Sequence, residues 1–234
     1  LLILISPYSA AFSLTPTFTL AAYKISSIFL VTWGVLPNPH LKNVRKGRTT
    51  AVFPEADGSF DRQKGDDFGG EGVCVMLLST KCNHPLGMLY PPYQKLTEHG
   101  RAMFIDLETN GAEYGFLGYS TYGSTDDVTK PVSMSIMYFK TMADAYKYSH
   151  SKTHRAGWEW YVRAGNEVEC VSIAHEIYEV PAGKWENIYV NAKPYGFAAT
   201  SHAVKAEGKE VKWACPMIDG KRMGGKQRLA TIKD

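Results

Sequence analysis

VSMSIMYFKTMADAYKYSHSKTHRAGWEWYVRAGNEVECVSIAHEIYEV, residues 132–180, decides the fold. Val132–Phe139 alternates in polarity and reads as a strand. Thr141 opens a helix, with Asp144 three residues later as a variant of the capping box. The helical pattern runs to about Ala164, with a break near Ser149–Ser151, and Gly165-Asn166 ends it. Glu167–Val180 then reads as a long strand, stopped by Pro181 and Gly183.

The chain on either side extends this strand–helix–strand unit. Upstream, Gly72–Thr80 is a short apolar run with the look of a buried strand. Pro91 and Pro92 stand where a helix can begin, and Tyr93, Leu96, Met103, Phe104 and Leu107 follow near-helical spacing up to Asn110-Gly111. Tyr114–Tyr122 reads as a strand and Ser124–Lys130 as a polar loop. Downstream, Trp185–Asn191 reads as a further strand. The order predicts an α+β fold, a ferredoxin-like βαββαβ domain over residues 72–204 with an extra strand. Both parities of the strands are largely apolar, so the sheet face without helices also needs cover. A second copy supplies it, which predicts a homodimer sharing a barrel. Residues 205–234 are weakly patterned and read as a tail, frayed from Lys221.

Residues 37–71 read as a linker and lead-in, punctuated by prolines and glycines. Residues 1–36 differ from the rest: between Leu1 and Val35 the only charged side chain is Lys24. Phe18–Leu36 approaches the roughly 20 apolar residues that cross a bilayer. The expectation is an apolar N-terminal helical extension that associates with a membrane. Lys42, Arg45, Lys46 and Arg48 follow it and predict a domain facing the cytosol, at a membrane such as the endoplasmic reticulum. The plainer alternative is a helix packed on a cytoplasmic domain.

Composition narrows the function by exclusion. The 234 residues are 44% hydrophobic and 21% charged, with net charge +3, which argues against disorder and against nucleic acid as a partner. Cys74, Cys82, Cys170 and Cys215 are too scattered for a zinc site or a disulfide scaffold. GxSxG, P-loop and post-strand GxGxxG patterns do not occur.

What remains is a constellation of side chains. His154, Trp158 and Tyr161 stand at i, i+4 and i+7 and share one helix face. Arg155 and Glu159 are spaced to pair on a neighbouring face. His150 and His154 have the spacing of metal ligands but no third ligand in the pattern, so no metal is expected. On the long strand one parity holds Val171, Ile173, His175 and Ile177. The other holds Cys170, Ser172, Ala174, Glu176 and Tyr178, small or polar residues suited to a cavity wall. Tyr138, Tyr189 and Asn191 add polar groups from neighbouring strands. The expectation is a ring-walled chamber for a hydrophobic small molecule. His154 or Glu176 is its base, and Tyr138, Tyr178 or Asn191 orients a carbonyl or hydroxyl. Trp158, Tyr161, His175, Tyr189 and Arg155 are the substrate-binding candidates.

HSKTHRAGWEWY (His150–Tyr161), HEIYEVPAGKWENIYVN (His175–Asn191), PYGF (Pro194–Phe197) and FLGYSTY (Phe116–Tyr122) resemble the fungal monooxygenase-like family of the fumagillin-pathway type. The likeness spans about residues 45–204. His154, Arg155, Trp158, His175, Glu176, Tyr178, Tyr189 and Asn191 fall on its motif positions. That family is similar to antibiotic-biosynthesis monooxygenases. The resemblance implies a dimeric α+β barrel, often with an apolar N-terminal extension. It also implies oxidation of a terpenoid or polyketide in fungal secondary metabolism without metal or flavin. Three alternatives stay open: a dehydratase-like enzyme with haem on His154 or His175, an oxygen-independent isomerase or cyclase, and a non-catalytic metabolite-binding protein.

Overall fold

The computed structural model describes residues 10–54, 59–60, 72–124, 132–205 and 211–219. The chain divides into two units, Leu1–Val44 and Arg45–Asp234. The first contains helix α1 (Ala10–Thr32) and a short turn at Pro39–Leu41. Side chains around α1 stand in solvent, among them Phe18, Ile25, Ile28 and Trp33. Among the described residues no helix is long and apolar enough to cross a membrane. The reason is in its sequence: Thr15, Thr17, Thr19, Lys24, Ser26 and Ser27 interrupt the run.

The second unit holds a four-stranded antiparallel sheet. Its strands are β2 (Val73–Cys82), β3 (Phe116–Gly123), β4 (Ser133–Phe139) and β5 (Val171–Val180), in the order β3-β4-β2-β5. Helix α2 (Pro91–Asn110) links β2 to β3, and helices α3 (Met142–Ser149) and α4 (Lys152–Ala164) link β4 to β5. This is the ferredoxin-like arrangement the element order predicts. The two central strands are β2 and β4, and β5 lies at an edge.

The break between α3 and α4 has a local cause. Thr141 Oγ1 accepts the Asp144 N–H and starts α3. Ser151 Oγ accepts the His154 N–H and starts α4. Each serine or threonine satisfies a first-turn donor, which sets the phase of its own helix. Glu179 Oε1 accepts the Met142 N–H and ties the start of α3 to the end of β5.

Register fixes which side chains share a face, because residues paired across antiparallel strands point the same way. Cys74, Met76 and Leu78 of β2 pair with Glu179, Ile177 and His175 of β5 and with Phe139, Met137 and Ser135 of β4. This face packs under the helices around Leu107, Phe104, Ala145 and Tyr148. Val75 and Leu77 pair with Tyr178 and Glu176 and with Tyr138 and Ile136, on the face without helices.

A second sheet caps one end of that open face. Its strands are β6 (Tyr189–Ala192), β1 (Arg45–Ala51) and β9 (Met217–Asp219), in that order. Strands β7 (His202–Lys205) and β8 (Val211–Ala214) form a separate pair. Residues read as linker and tail therefore supply strands: β1 falls within 37–71, and β8 and β9 within 205–234. Most of these strands are only three or four residues long, too short for an alternation to show. The frayed end expected from Lys221 lies outside the described residues. The strand expected over Trp185–Asn191 is shorter and pairs with β1. Before it, Asn187 imitates a strand with its side chain: Oδ1 accepts the Ala51 N–H and Nδ2 donates to the Ala51 carbonyl.

The capping layer packs Phe53, Trp185, Phe197 and His202 as a cluster of rings, with centroids 5.1–5.8 Å apart along its contacts. His202 is buried and its Nε2 lies 2.8 Å from Thr200 Oγ1. Burial, helped by Lys140, pushes its pKa down to about 4. The unfolded chain takes up this proton near pH 6.5, and the folded chain resists it. The associated stability is therefore present above pH 6.5 and is lost as pH falls toward 4. Melting temperatures measured across that interval should drop steeply, and His202→Phe should flatten the drop.

Candidate active site

Helix α4 lies beside edge strand β5 without covering it. From α4, the Tyr161 hydroxyl donates to the Val171 carbonyl at the start of β5, 2.8 Å away. Trp158 lies one turn back and is 59% exposed. Its ring is nearly parallel to that of Tyr161, at 14° with centroids 6.3 Å apart. His154 follows on the same helix face and is half-buried, edge-on to Tyr148 at 5.8 Å. From β5, Ile173, His175 and Ile177 face the helix side. His175 is exposed and Ile173 is 36% exposed, values far too open for strand residues beneath a packed helix. The result is a groove with rings and an imidazole on one wall and two isoleucines and an imidazole on the other.

The electrostatics of the groove favour a neutral His154. Burial pushes its pKa below the usual imidazole range, and the nearby His175 and His150 add to the shift. The backbone of Ser149 works the other way. A neutral imidazole beside an open groove is a proton acceptor at neutral pH. Among the described residues no cluster of three or more His, Cys, Asp or Glu could hold a metal ion.

The expected chamber holding both His154 and Glu176 is corrected. Glu176 pairs with Leu77 on the opposite face of the sheet, so the imidazole and the carboxylate are separated by the sheet itself. Tyr178 shares the open face with Glu176, is 50% exposed, and donates its hydroxyl to the Glu176 carboxylate. His175, by contrast, has the parity read as core and stands in the groove. Ile173 was missed for the same reason: its alternation signals burial, and only the edge position of β5 leaves it open, while Ile177 on the same face is partly buried against the core.

Of three other candidates, Tyr189 and Asn191 hold backbone, and Tyr138 lies beside the turn that Tyr189 holds. Gly196–Ala199 forms a 3-10 turn over the open face. The Gly196 N–H donates to Ser120 Oγ at 2.9 Å and the Ala198 N–H to the Tyr189 hydroxyl at 3.1 Å. The Tyr138 hydroxyl lies close to Gly196, 3.3 Å from where a Cβ would stand. Burial pushes Tyr138 up to about 12 and raises Tyr189 as well, so both phenols stay protonated. Asn191 is exposed, with φ of 50°, and its Oδ1 accepts the Gly47 N–H where β1 and β6 slip register. Arg155 is exposed on α4 and its guanidinium lies 3.6 Å from Glu159, the pairing its spacing predicts.

The chain is similar to several known proteins. A family model described as monooxygenase af470-like matches residues 73–197, which cover β2 to β6 and the 196–199 turn up to Phe197. Monooxygenase af470 of Aspergillus fumigatus is 28% identical over 157 residues, 67% of this chain and 55% of its own length. The chain thus spans about half the length of that curated relative. A Caulobacter crescentus CB15 structure named for antibiotic-biosynthesis monooxygenases has a TM-score of 0.32 at 13% identity, over 48% of this chain and 92% of its own. An aldoxime dehydratase in complex with butyraldoxime has a TM-score of 0.37 at 11% identity, over 67% of this chain and 42% of its own.

The backbone-holding role of Tyr189 has a direct check. Tyr189→Phe leaves the buried Ala198 N–H without its acceptor, which costs about 1–3 kcal/mol. Urea unfolding should show a loss of that size with the far-ultraviolet circular dichroism unchanged.

Proposed function

Because the chain belongs to the monooxygenase af470-like family, we propose that it is a monooxygenase-like oxidoreductase whose reaction runs in the α4–β5 groove. The observation that carries this reading is the half-buried His154, its pKa lowered by burial, on the side of the sheet that holds Trp158, Tyr161, Ile173, His175 and Ile177. The substrate is a hydrophobic small molecule, a terpenoid or polyketide intermediate of fungal secondary metabolism. His154 takes a proton from an activated C–H group, and His175 faces the developing anion. The resulting carbanion passes one electron to dioxygen, and the two radicals combine to a peroxide. Loss of water converts the original CH2 to C=O: one oxygen atom stays and the other leaves as water. The substrate supplies all the reducing equivalents, so the reaction needs neither metal nor flavin. Trp158 and Tyr161 shield the anion from bulk water.

Two further features complete the reading. The uncovered part of the open sheet face, with Leu77, Ile136, Met134 and Tyr178, pairs with a second copy to close the barrel. The exposed apolar side chains of α1 lie in the plane of a cytosol-facing membrane surface, where a greasy substrate partitions.

Replacing the chain in its host with His154→Gln should cut product formation by about a hundredfold or more. With the native chain, isotopically heavy dioxygen should label the product at one position. The acid limb of the pH profile should have an apparent pKa below the ordinary histidine value and vanish in the variant. Undiminished turnover without oxygen would establish an isomerase or cyclase instead, and a Soret band in the purified protein would establish a haem enzyme. For the pairing, sedimentation equilibrium should give twice the chain mass, reverting to the single-chain mass with Ile136→Asp.

A further inference from the structure

The outer face of the capping sheet carries charge of one sign: we infer that it is a docking surface for a membrane that displays anionic lipid headgroups. The inference stands on residues of the second unit and extends the membrane reading given above for α1. The register of β1 with β6 builds the face. Thr49 pairs with Tyr189 and both are buried, so that parity points into the protein. Arg48 pairs with Val190, one residue along, and points outward. Val190 is 61% exposed, and Ile188, just before β6, is 39% exposed. Lys46 stands exposed at the irregularity between Arg45 and Arg48, where the Gly47 N–H donates to Asn191 Oδ1. Arg45 is exposed, with its guanidinium donating to the Met217 carbonyl. Lys193 follows Ala192, the partner of Arg45, and is exposed as well.

Charge selects the occupant. No Asp or Glu occurs between Leu1 and Pro54. Among the described residues, the ion pairs join Lys95 to Glu98 and Arg155 to Glu159, and none takes up a cation of this face. A second copy is a poor occupant, because a two-fold contact sets the face against itself and cation against cation. Basic side chains among exposed aliphatic ones match a lipid surface instead. The headgroups neutralise the cations, and Val190 and Ile188 reach the boundary of the acyl chains. The chain also enters β1 soon after α1, whose Phe18, Ile25, Ile28 and Trp33 are exposed. A membrane that holds α1 is thus tethered to this strand, which raises its effective concentration there.

Flotation of the full chain with vesicles tests the assignment. One set is phosphatidylcholine alone, and the other is three parts phosphatidylcholine to one part phosphatidylserine. At low salt the chain should bind the mixed vesicles about twentyfold or more tightly, since each basic side chain near such a surface contributes about fivefold. Salt at about 0.5 M should erase most of that margin. Lys46→Glu combined with Lys193→Glu should remove the preference and leave the melting temperature unchanged, because both side chains are exposed. Arg101→Glu combined with Lys152→Glu makes an equal charge change at exposed positions on the helices and should keep the preference. Equal binding of both vesicle types by the native chain overturns the inference. So does a preference that survives the first pair of substitutions, or one that both pairs remove alike. Self-association without vesicles that Val190→Asp abolishes would assign the face to a second copy and overturn it too. Native binding to the mixed vesicles alone keeps this inference and loses the in-plane reading of α1, whereas equal binding to both does the reverse.

Discussion

Two backbone N–H groups of one tight turn, those of Gly196 and Ala198, end on the side-chain oxygens of Ser120 and Tyr189. Much else depends on this anchoring. Buried donors without acceptors are expensive, so the turn can lie across the sheet only because the sheet and β6 bring oxygens to meet it. Once anchored, it carries Phe197 into the ring cluster and covers one end of the open face. The sheet accommodates the close approach at Gly118, where φ is 144° and an added Cβ would stand 3.2 Å from Thr200 Cα. Any side chain at that position would push the covering segment off β3.

The covering layer leaves the two faces of the sheet with different tasks. On the helix side, α2 and α3 bury the central strands and α4 stops short of the edge. That arrangement leaves a solvent-open slot beside β5 in which an imidazole can be partly desolvated and still reachable. On the other side, the capped end is solid with rings and the remainder is exposed sheet. The chemistry proposed above needs the first environment, because proton abstraction requires a neutral base near water-poor rings. The second suits contact with another sheet.

Much of the fold was legible in residues 132–180 alone. The strand alternation, the Thr141 cap and the stop at Gly165-Asn166 are local signals with local causes, and the structure follows them closely. The short strands β1, β8 and β9 were not legible, since three to seven residues carry little period, and β6 is shorter than the strand expected over Trp185–Asn191. In addition, Asn187 replaces backbone pairing with its carboxamide. The site was half legible. Helical spacing gathers His154, Trp158 and Tyr161 correctly, because that depends on one helix. Joining them to Glu176 failed, because which parity of β5 faces the helices depends on its register with β2, a long-range fact. The tyrosines show the same limit: polarity marks Tyr138 and Tyr189 as notable but does not reveal that the Tyr189 oxygen serves the backbone of a turn.

Strand β5 carries two chemical inventories back to back, His175 with isoleucines on one side and Glu176 with Tyr178 on the other. Because side chains alternate, inserting or deleting a single residue upstream in this strand would exchange them. The slot would then receive the carboxylate and phenol, and the outer face the imidazole. An edge strand tolerates such slippage better than a central one, since only β2 must re-pair with it. Evolution thus has available, in one indel, a route from an imidazole-based to a carboxylate-based pocket on an otherwise unaltered scaffold.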